Sequence, residues 1–245
     1  MRTTRIHVAQ ALAQGRQLRL PDQTAEHLVR VLRLRTGARL VLFNGDGYDY
    51  EAVILAADRR EICVRVERRI LQNRESHLPL TLAQGMARGE KMDLIVQKAT
   101  ELGVQRIVPL ITERCEVKLD AHRAQKRLAH WCAIAISACA QCGRTRLPTV
   151  EPIKPLATWL DTLENHAQLR LALLPEASQQ IGNLSVTAAG ATIAVGPEGG
   201  FADRDVMALR SAGFYALRLG PRILRTETAG WAALVALQAL HGDLY

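Results

Sequence analysis

The chain has 245 residues, 48% hydrophobic and 23% charged, with a formal net charge of +8. That length suits one large domain or two modest ones. No low-complexity tract, no apolar run of membrane-spanning length and no apolar core behind Met1–Arg5 is present, so a cytoplasmic protein without a membrane partner is expected.

Residues 1–72 read mostly as short strands. Gln17–Leu20 alternates and stops at Pro21. Ala38–Phe43 ends at the turn Asn44-Gly45-Asp46-Gly47, and Tyr50–Leu55 and Glu61–Val66 flank a turn around Asp58-Arg59-Arg60. One helix interrupts them, with Leu28, Val31 and Leu32 on a shared face and Arg30, Arg33 and Arg35 turned elsewhere. Strands of this length and spacing suggest a small closed or partly closed barrel. Residues 1–73 hold thirteen arginines, no lysine and eight acidic residues. A basic surplus of this kind points to a polyanion, with an ordinary basic surface as the alternative. Arg30, Arg33 and Arg35 are the candidates for phosphate contacts, or else a solvated helix face.

The polar stretch Leu71–His77 reads as a linker, and residues 73–245 then alternate strand and helix. Strands are expected at Leu80–Ala83, Arg106–Ile111, Leu169–Leu174, Thr192–Val195 and Tyr215–Leu219. Helices are expected at Lys91–Leu102 with Gly103 as C-cap, at Arg123–Cys142, at Pro155–Leu163, from a cap at Asp203 to Ala212, and from Thr226 to Leu240. Continuous apolar strands between helices define an α/β domain with a parallel sheet. The last helix is apolar on every side from Ala229 to Ala239 except at Gln238, which predicts a dimer interface.

Ligands of such sheets sit beyond the carboxyl ends of the strands. Three strand exits meet that expectation: Leu173-Leu174-Pro175-Glu176, Gly196-Pro197-Glu198-Gly199-Gly200, and Leu219-Gly220-Pro221-Arg222. Glycine turns that leave a strand towards a helix expose backbone N–H groups and carbonyls, so the pair predicts a small polar cofactor held mainly by main chain. The dinucleotide fingerprint, the P-loop, H-E-x-x-H and the G-x-S-x-G elbow are all missing. The five cysteines give no disulfide framework, and the lone CxxC at Cys139 and Cys142 lacks the second pair of a zinc site, so no metal is expected.

GPEGGF at 196–201 and LGPRILRTETA at 219–229 resemble the RsmE family of ribosomal RNA methyltransferases. HLVRVLRLRTG at 27–37, RGEKMDLIVQKATELGV at 88–104, PLITERCEVK at 109–118 and QCGRTRLP at 141–148 extend the likeness along the chain. Ala140 departs from the family pattern, which usually has a glutamate there. The resemblance implies an N-terminal PUA-like β-barrel that binds RNA and a C-terminal trefoil-knotted α/β domain of the SPOUT class. It also implies a homodimer and S-adenosyl-L-methionine as methyl donor. The implied reaction is methylation of N3 of a uridine in 16S ribosomal RNA of the small ribosomal subunit.

On that reading Gly196, Gly199, Gly200 and Gly220 let the backbone approach the cofactor. Leu173, Leu174, Pro175, Leu217, Leu219, Ile223 and Leu224 form an apolar cradle, or else plain sheet core, and Thr228 belongs to the same site. Arg225 would stabilise the uridine anion. Glu198 is a candidate base if a dry site raises its pKa, and otherwise shapes the loop by bonding backbone N–H groups. Arg114 and Lys118 are candidates for RNA phosphates, with solvated surface charge as the alternative. Methylation of a ribose hydroxyl or a transfer RNA base, and a non-catalytic RNA-binding factor, are the competing readings.

Overall fold

A computed structural model describes residues 4–58, 61–117, 120–164 and 168–245. The chain divides into two compact units, residues 1–75 with 139–147, and residues 76–138 with 148–245.

The first unit is built on a five-stranded sheet of β1 (Arg5–His7), β2 (Gln17–Arg19), β3 (Arg39–Phe43), β4 (Tyr48–Ala57) and β5 (Ile62–Leu71), in the order β1-β3-β4-β5-β2. Alternation sends Leu40 and Leu42 from β3, and Ile62, Val64 and Val66 from β5, into one apolar core with Leu18, Tyr50 and Ile54. Two register shifts bend the β4–β5 pair. The Asn44–Gly47 turn forms as expected: Gly45 and Gly47 take positive φ, and Asn44 Oδ1 accepts from Asp46 N while Asp46 Oδ1 accepts from Tyr48 N. Burial, followed by the Asp46 carboxylate that accepts from the Tyr50 hydroxyl, pushes that phenol up to about 12.

Two features of this unit differ from the sequence reading. The expected amphipathic helix is a short α1 (Asp22–Glu26) followed by a π-helical turn at His27–Val31. The wider winding separates residues that a 3.6-residue period would align. Leu28 is wholly buried, whereas Val31 is 64% exposed and Leu32 39%. Residues 139–147 also group with the strands. Glu75, inside the expected linker, explains why: its carboxylate pairs with Arg144 at 2.7 Å and accepts from the amides of Thr145 and Arg146. Ala140 is half-buried in the same segment.

The second unit holds β6 (Leu80–Gly85), α2 (Lys91–Glu101), β7 (Arg106–Ile111), α3 (Ala121–Cys142, its last turn counted with the first unit), β8 (Thr149–Val150), β9 (Lys154–Pro155), α4 (Leu156–Leu160), β10 (Leu169–Leu173), β11 (Ala191–Val195), α5 (Asp203–Ser211), β12 (Tyr215–Leu217) and α6 (Thr226–His241). Its strands run in the order β12-β10-β11-β6-β7-β8, with β9 beside β7, and every pairing is parallel. All five residues of β11 are buried, Thr192 among them, as befits a central parallel strand. Because β12, β10 and β11 are neighbours, the three glycine- and proline-bearing exits open side by side.

Helix α5 begins differently from the expectation. Ala202, not Asp203, is the N-cap, and the carboxylate of Asp205 reaches back to accept from Ala202 N at 3.1 Å and from Glu113 N at 3.2 Å. Helix α6 buries Gly230, Ala233, Leu234 and Leu237, while Val235 and Leu240 stay exposed. Near its end Gln238 is buried and bonded: Oε1 accepts from Ser76 Oγ at 2.7 Å and Nε2 donates to Leu102 O at 2.9 Å, closing the end of α2. Among the described residues no helix is long and apolar enough to cross a membrane, and no group of three His, Cys, Asp or Glu could hold a metal ion.

Candidate active site

The chain leaves β11 at Gly196. A Cβ there would lie 2.8 Å from the carbonyl carbon of Gly200, so only glycine lets the two legs of the turn close. Gly200 N donates to Pro197 O at 2.9 Å and Gly200 itself takes φ +69°, which completes a tight loop of exposed main chain. The loop is tied down from three sides. Thr226 Oγ1 donates to Gly196 O at 2.5 Å. Wholly buried Gln84 donates from Nε2 to Thr226 Oγ1 at 2.8 Å and to Gly85 O at 2.9 Å. Arg114 donates to Gly199 O at 3.1 Å.

Glu198 is the third tie. Its Oε1 accepts from Lys91 Nζ at 2.9 Å and from Arg88 N at 3.0 Å. Burial by itself would raise its pKa, but the Lys91 and Arg88 hydrogen bonds outweigh burial and hold the carboxyl below its ordinary value. A base that would need a raised pKa is therefore not what this carboxylate provides. Of the two readings open for Glu198, the geometry gives the one in which it shapes the loop.

The loop from Arg218 to Arg225 forms the opposite lip. Gly220 takes φ +73°, and Arg225, in extended conformation, is the N-cap of α6. Arg225 is exposed and lines the cleft at the start of α6, where the first amides of the helix are free. Between the lips lies a cleft of about 860 Å³. Leu173, Leu174 and Pro175 enter it from β10, Gly196, Glu198, Gly199 and Gly200 from β11, and Leu217, Leu219, Ile223, Leu224 and Arg225 from β12 and the loop beyond. Arg114 also reaches it. Gly220 and Thr228, expected at the site, do not line it.

Arg30, Arg33 and Arg35 lie elsewhere, exposed on the first unit, with Arg30 ion-paired to Glu26 and Arg33 in the left-handed region at φ 53°. Lys118 lies outside the described residues. The sequence reading missed Lys91, Arg210 and Arg218 at the cleft, and placed Arg222 there only as the end of the third strand exit. Arg218 and Arg222 flank the second glycine turn, and that flanking was their signal. Lys91 and Arg210 belong to helices whose orientation only the fold fixes. With Arg114 and Arg225 these six cations face three acids, Glu176, Glu198 and Asp203, so the cleft carries a positive field suited to an anionic polymer.

The comparisons with known proteins converge on one family. The model described as an RNA methyltransferase domain matches residues 74–238, and that described as an RNA methyltransferase PUA domain matches residues 20–67. A ribosomal RNA small subunit methyltransferase E of Buchnera aphidicola is 33% identical over 99% of this chain and 98% of its own. Its Bacillus subtilis counterpart is 30% identical over 91% and 92%. Among solved structures, a methyltransferase from Legionella pneumophila in complex with SAM superposes with a TM-score of 0.95 at 40% identity, covering 100% of both chains. A ribosomal RNA small subunit methyltransferase E from Neisseria gonorrhoeae bound to S-adenosyl methionine gives 0.93 at 36%, again over 100% of both. The fold is thus the expected one, a PUA-like N-terminal unit and a SPOUT-class, trefoil-knotted α/β unit. The chain belongs to the RNA methyltransferase family whose members include ribosomal RNA small subunit methyltransferase E.

Proposed function

We propose that this enzyme transfers the methyl group of S-adenosyl-L-methionine to N3 of a uridine in small-subunit ribosomal RNA, and that it does so as a homodimer in the cytoplasm. The observation that carries the reading is the cleft at three adjacent strand exits, walled by two glycine-bearing loops and closed by an arginine at a helix N-terminus.

The cleft fits the donor. Its volume lies in the range of small-molecule sites. Leu173, Leu217 and Leu219 offer an apolar wall for adenine, while the Gly196–Gly200 loop offers backbone donors and acceptors without side chains in the way. Bound there, the donor supplies an electrophilic methyl group on a sulfonium leaving group. The protein must align the acceptor in line with it, which positioning alone accelerates strongly.

Uridine N3 is a nucleophile only after losing its proton, which passes to solvent water at the open cleft, and the resulting charge spreads onto the flanking carbonyl oxygens. Arg225 and the first amides of α6 can donate hydrogen bonds to such an oxygen and lower the cost of ionisation. Glu198 is held ionised by Lys91 and Arg88, so it anchors the loop rather than accepting the proton. N3 lies on the pairing edge of the base, so the uridine must be unpaired when it reaches the cleft. Arg114, Arg210 and Arg222 stand at the rim to hold its phosphates. The first unit, with its arginine surplus, supplies a further RNA contact, and the apolar side of α6 with Val235 and Leu240 supplies a dimer contact.

The test is to incubate the protein with labelled S-adenosyl-L-methionine and small subunits or 16S RNA from cells lacking the enzyme, then digest and identify the nucleoside. N3-methyluridine is expected. A methylated ribose, a methylated transfer RNA base, or no transfer with no donor binding by calorimetry would overturn the proposal.

A further inference from the structure

Lys91 occupies a position that helix physics disfavours. It is the first residue of α2, where the helix dipole presents positive charge, and no side chain caps that end. Two carboxylates explain its place. Its Nζ lies 2.9 Å from Glu198 Oε1 in the loop after β11 and 3.9 Å from Glu227 Oε2 in the first turn of α6. The Glu227 side chain is only 12% exposed, and its Oε2 is buried with no hydrogen-bond partner among the described residues. Lys91 thus faces two acids, one in each of the segments that meet at the cleft. Glu227 lies two residues beyond Arg225.

Resting on the methyl-transfer reading above, we infer that Lys91 is a positioning residue: by joining Glu198 to Glu227 it fixes the spacing between the donor-binding loop and the helix start that carries Arg225. The loop has other ties, from Thr226 to Gly196 O, from Arg114 to Gly199 O and from Arg88 N to Glu198. Loss of the lysine therefore leaves the loop formed. What it removes is the cation between two carboxylates, both within 3.9 Å of one Nζ. Like charges left so close push apart, most strongly where solvent is scarce, as at Glu227. The segments then drift in relative position, and a displacement of about 1 Å between reacting groups costs on the order of 100-fold in rate.

The experiment compares wild type, Lys91→Met, Lys91→Arg and the double variant Lys91→Met/Glu227→Gln in single-turnover methylation and in calorimetric binding of S-adenosyl-L-methionine, with melting curves as a check of folding. Lys91→Met is expected to lower the rate constant by about 10- to 100-fold while donor affinity changes by less than about fivefold. Lys91→Arg, which keeps the cation, should regain most of the rate. The double variant should be faster than Lys91→Met, because removing one carboxylate charge relieves the repulsion; a side chain needed only for stability would gain nothing from that second change. An unchanged rate in Lys91→Met, or no recovery in the double variant, overturns the inference. Should Lys91→Met not fold, the folded Lys91→Arg and the double variant still decide it, since both must then exceed background turnover. Failure of wild type itself to bind donor or transfer methyl would instead overturn the underlying reading of the site.

Discussion

Replacing Gly196 with alanine tests whether the loop after β11 is a main-chain clasp. The added Cβ would sit 2.8 Å from the Gly200 carbonyl carbon and 3.0 Å from both Gly200 Cα and Phe201 N. Carbon atoms rest at roughly 3.5–4.0 Å, so the opposite leg must retreat, and the atoms in the way are backbone that cannot rotate aside. Overpacking of this kind costs about 1–3 kcal/mol. The displaced backbone lines the cleft, so the cost falls on the surface that meets the donor. Affinity for S-adenosyl-L-methionine should weaken by about 5- to 150-fold, the same energy expressed as a ratio, with a smaller change in melting temperature. Gly200 is the internal control. A Cβ there meets nothing within 4 Å, but φ is +69°, so alanine pays only the left-handed penalty of about 1–2 kcal/mol and asparagine less. Calorimetric titration of the three variants should rank them Gly196→Ala weakest, then Gly200→Ala, then Gly200→Asn. Binding by Gly196→Ala within twofold of wild type, or a reversed order, would refute the clasp.

The other expectations concern charge. Arg225→Ala should lower the single-turnover rate by about 100- to 1,000-fold, the usual loss of a donor to a developing anion, with donor affinity little changed; an equal loss in binding and rate would mean Arg225 merely holds the donor. Glu198 has a folded pKa below its ordinary 4.5, so its anchoring is fully present above that value and is lost as pH falls through the lowered one. Donor affinity should then be level from neutrality down to about pH 5 and weaken in more acid solution, whereas Glu198→Gln should bind more weakly at neutral pH and show no such acid limb. Replacing Arg30, Arg33 and Arg35 together should flatten the salt dependence of RNA binding by roughly two phosphate contacts rather than three, because Arg30 already pairs with Glu26. An unchanged slope would remove this surface from the RNA interface.

What the sequence could reveal follows from the range of the interactions involved. The parallel sheet was legible because β11 and β10 are largely apolar, broken only by Thr192 and Arg170, and bounded by turn residues, a pattern set by burial within a few residues. One lip of the cleft was legible because Gly196 and Gly200 answer local demands, one for space and one for a dihedral angle, and the other because Gly220 answers a dihedral demand of its own. The π-helical turn at His27–Val31 was not, since its residues carry the same apolar spacing as an ordinary helix and tertiary packing chose the winding. Nor was the return of residues 139–147 to the first unit, which depends on Glu75 meeting Arg144 across 69 positions of sequence. Glu198 shows the same limit in its chemistry. Its identity and its glycine setting admitted two roles, and the choice between them rests on Lys91 and Arg88, more than a hundred residues away.

Those long-range partners also explain how a cleft of loops can perform chemistry that needs fixed geometry. Gln84 is the penultimate residue of β6, a strand whose other residues are almost all apolar, and it is wholly buried. A buried amide at that place is costly unless bonded, and its donors are used on Gly85 O and Thr226 Oγ1, the latter in turn donating to Gly196 O. One buried chain of hydrogen bonds therefore joins β6, the loop after β11 and the first residue of α6. At the rim, Lys91 joins the same loop and the same helix turn through charge. The neutral pin sets where the segments meet and is indifferent to salt and to pH; the charged pin is partly exposed and screened. Arg225 directly precedes both in sequence, one residue before Thr226 and two before Glu227, so its backbone is held on the side where both pins act. A helix start fixed in this way can present an arginine and free amides to an anion without reorganising as charge develops, which is the condition under which such groups lower a barrier most.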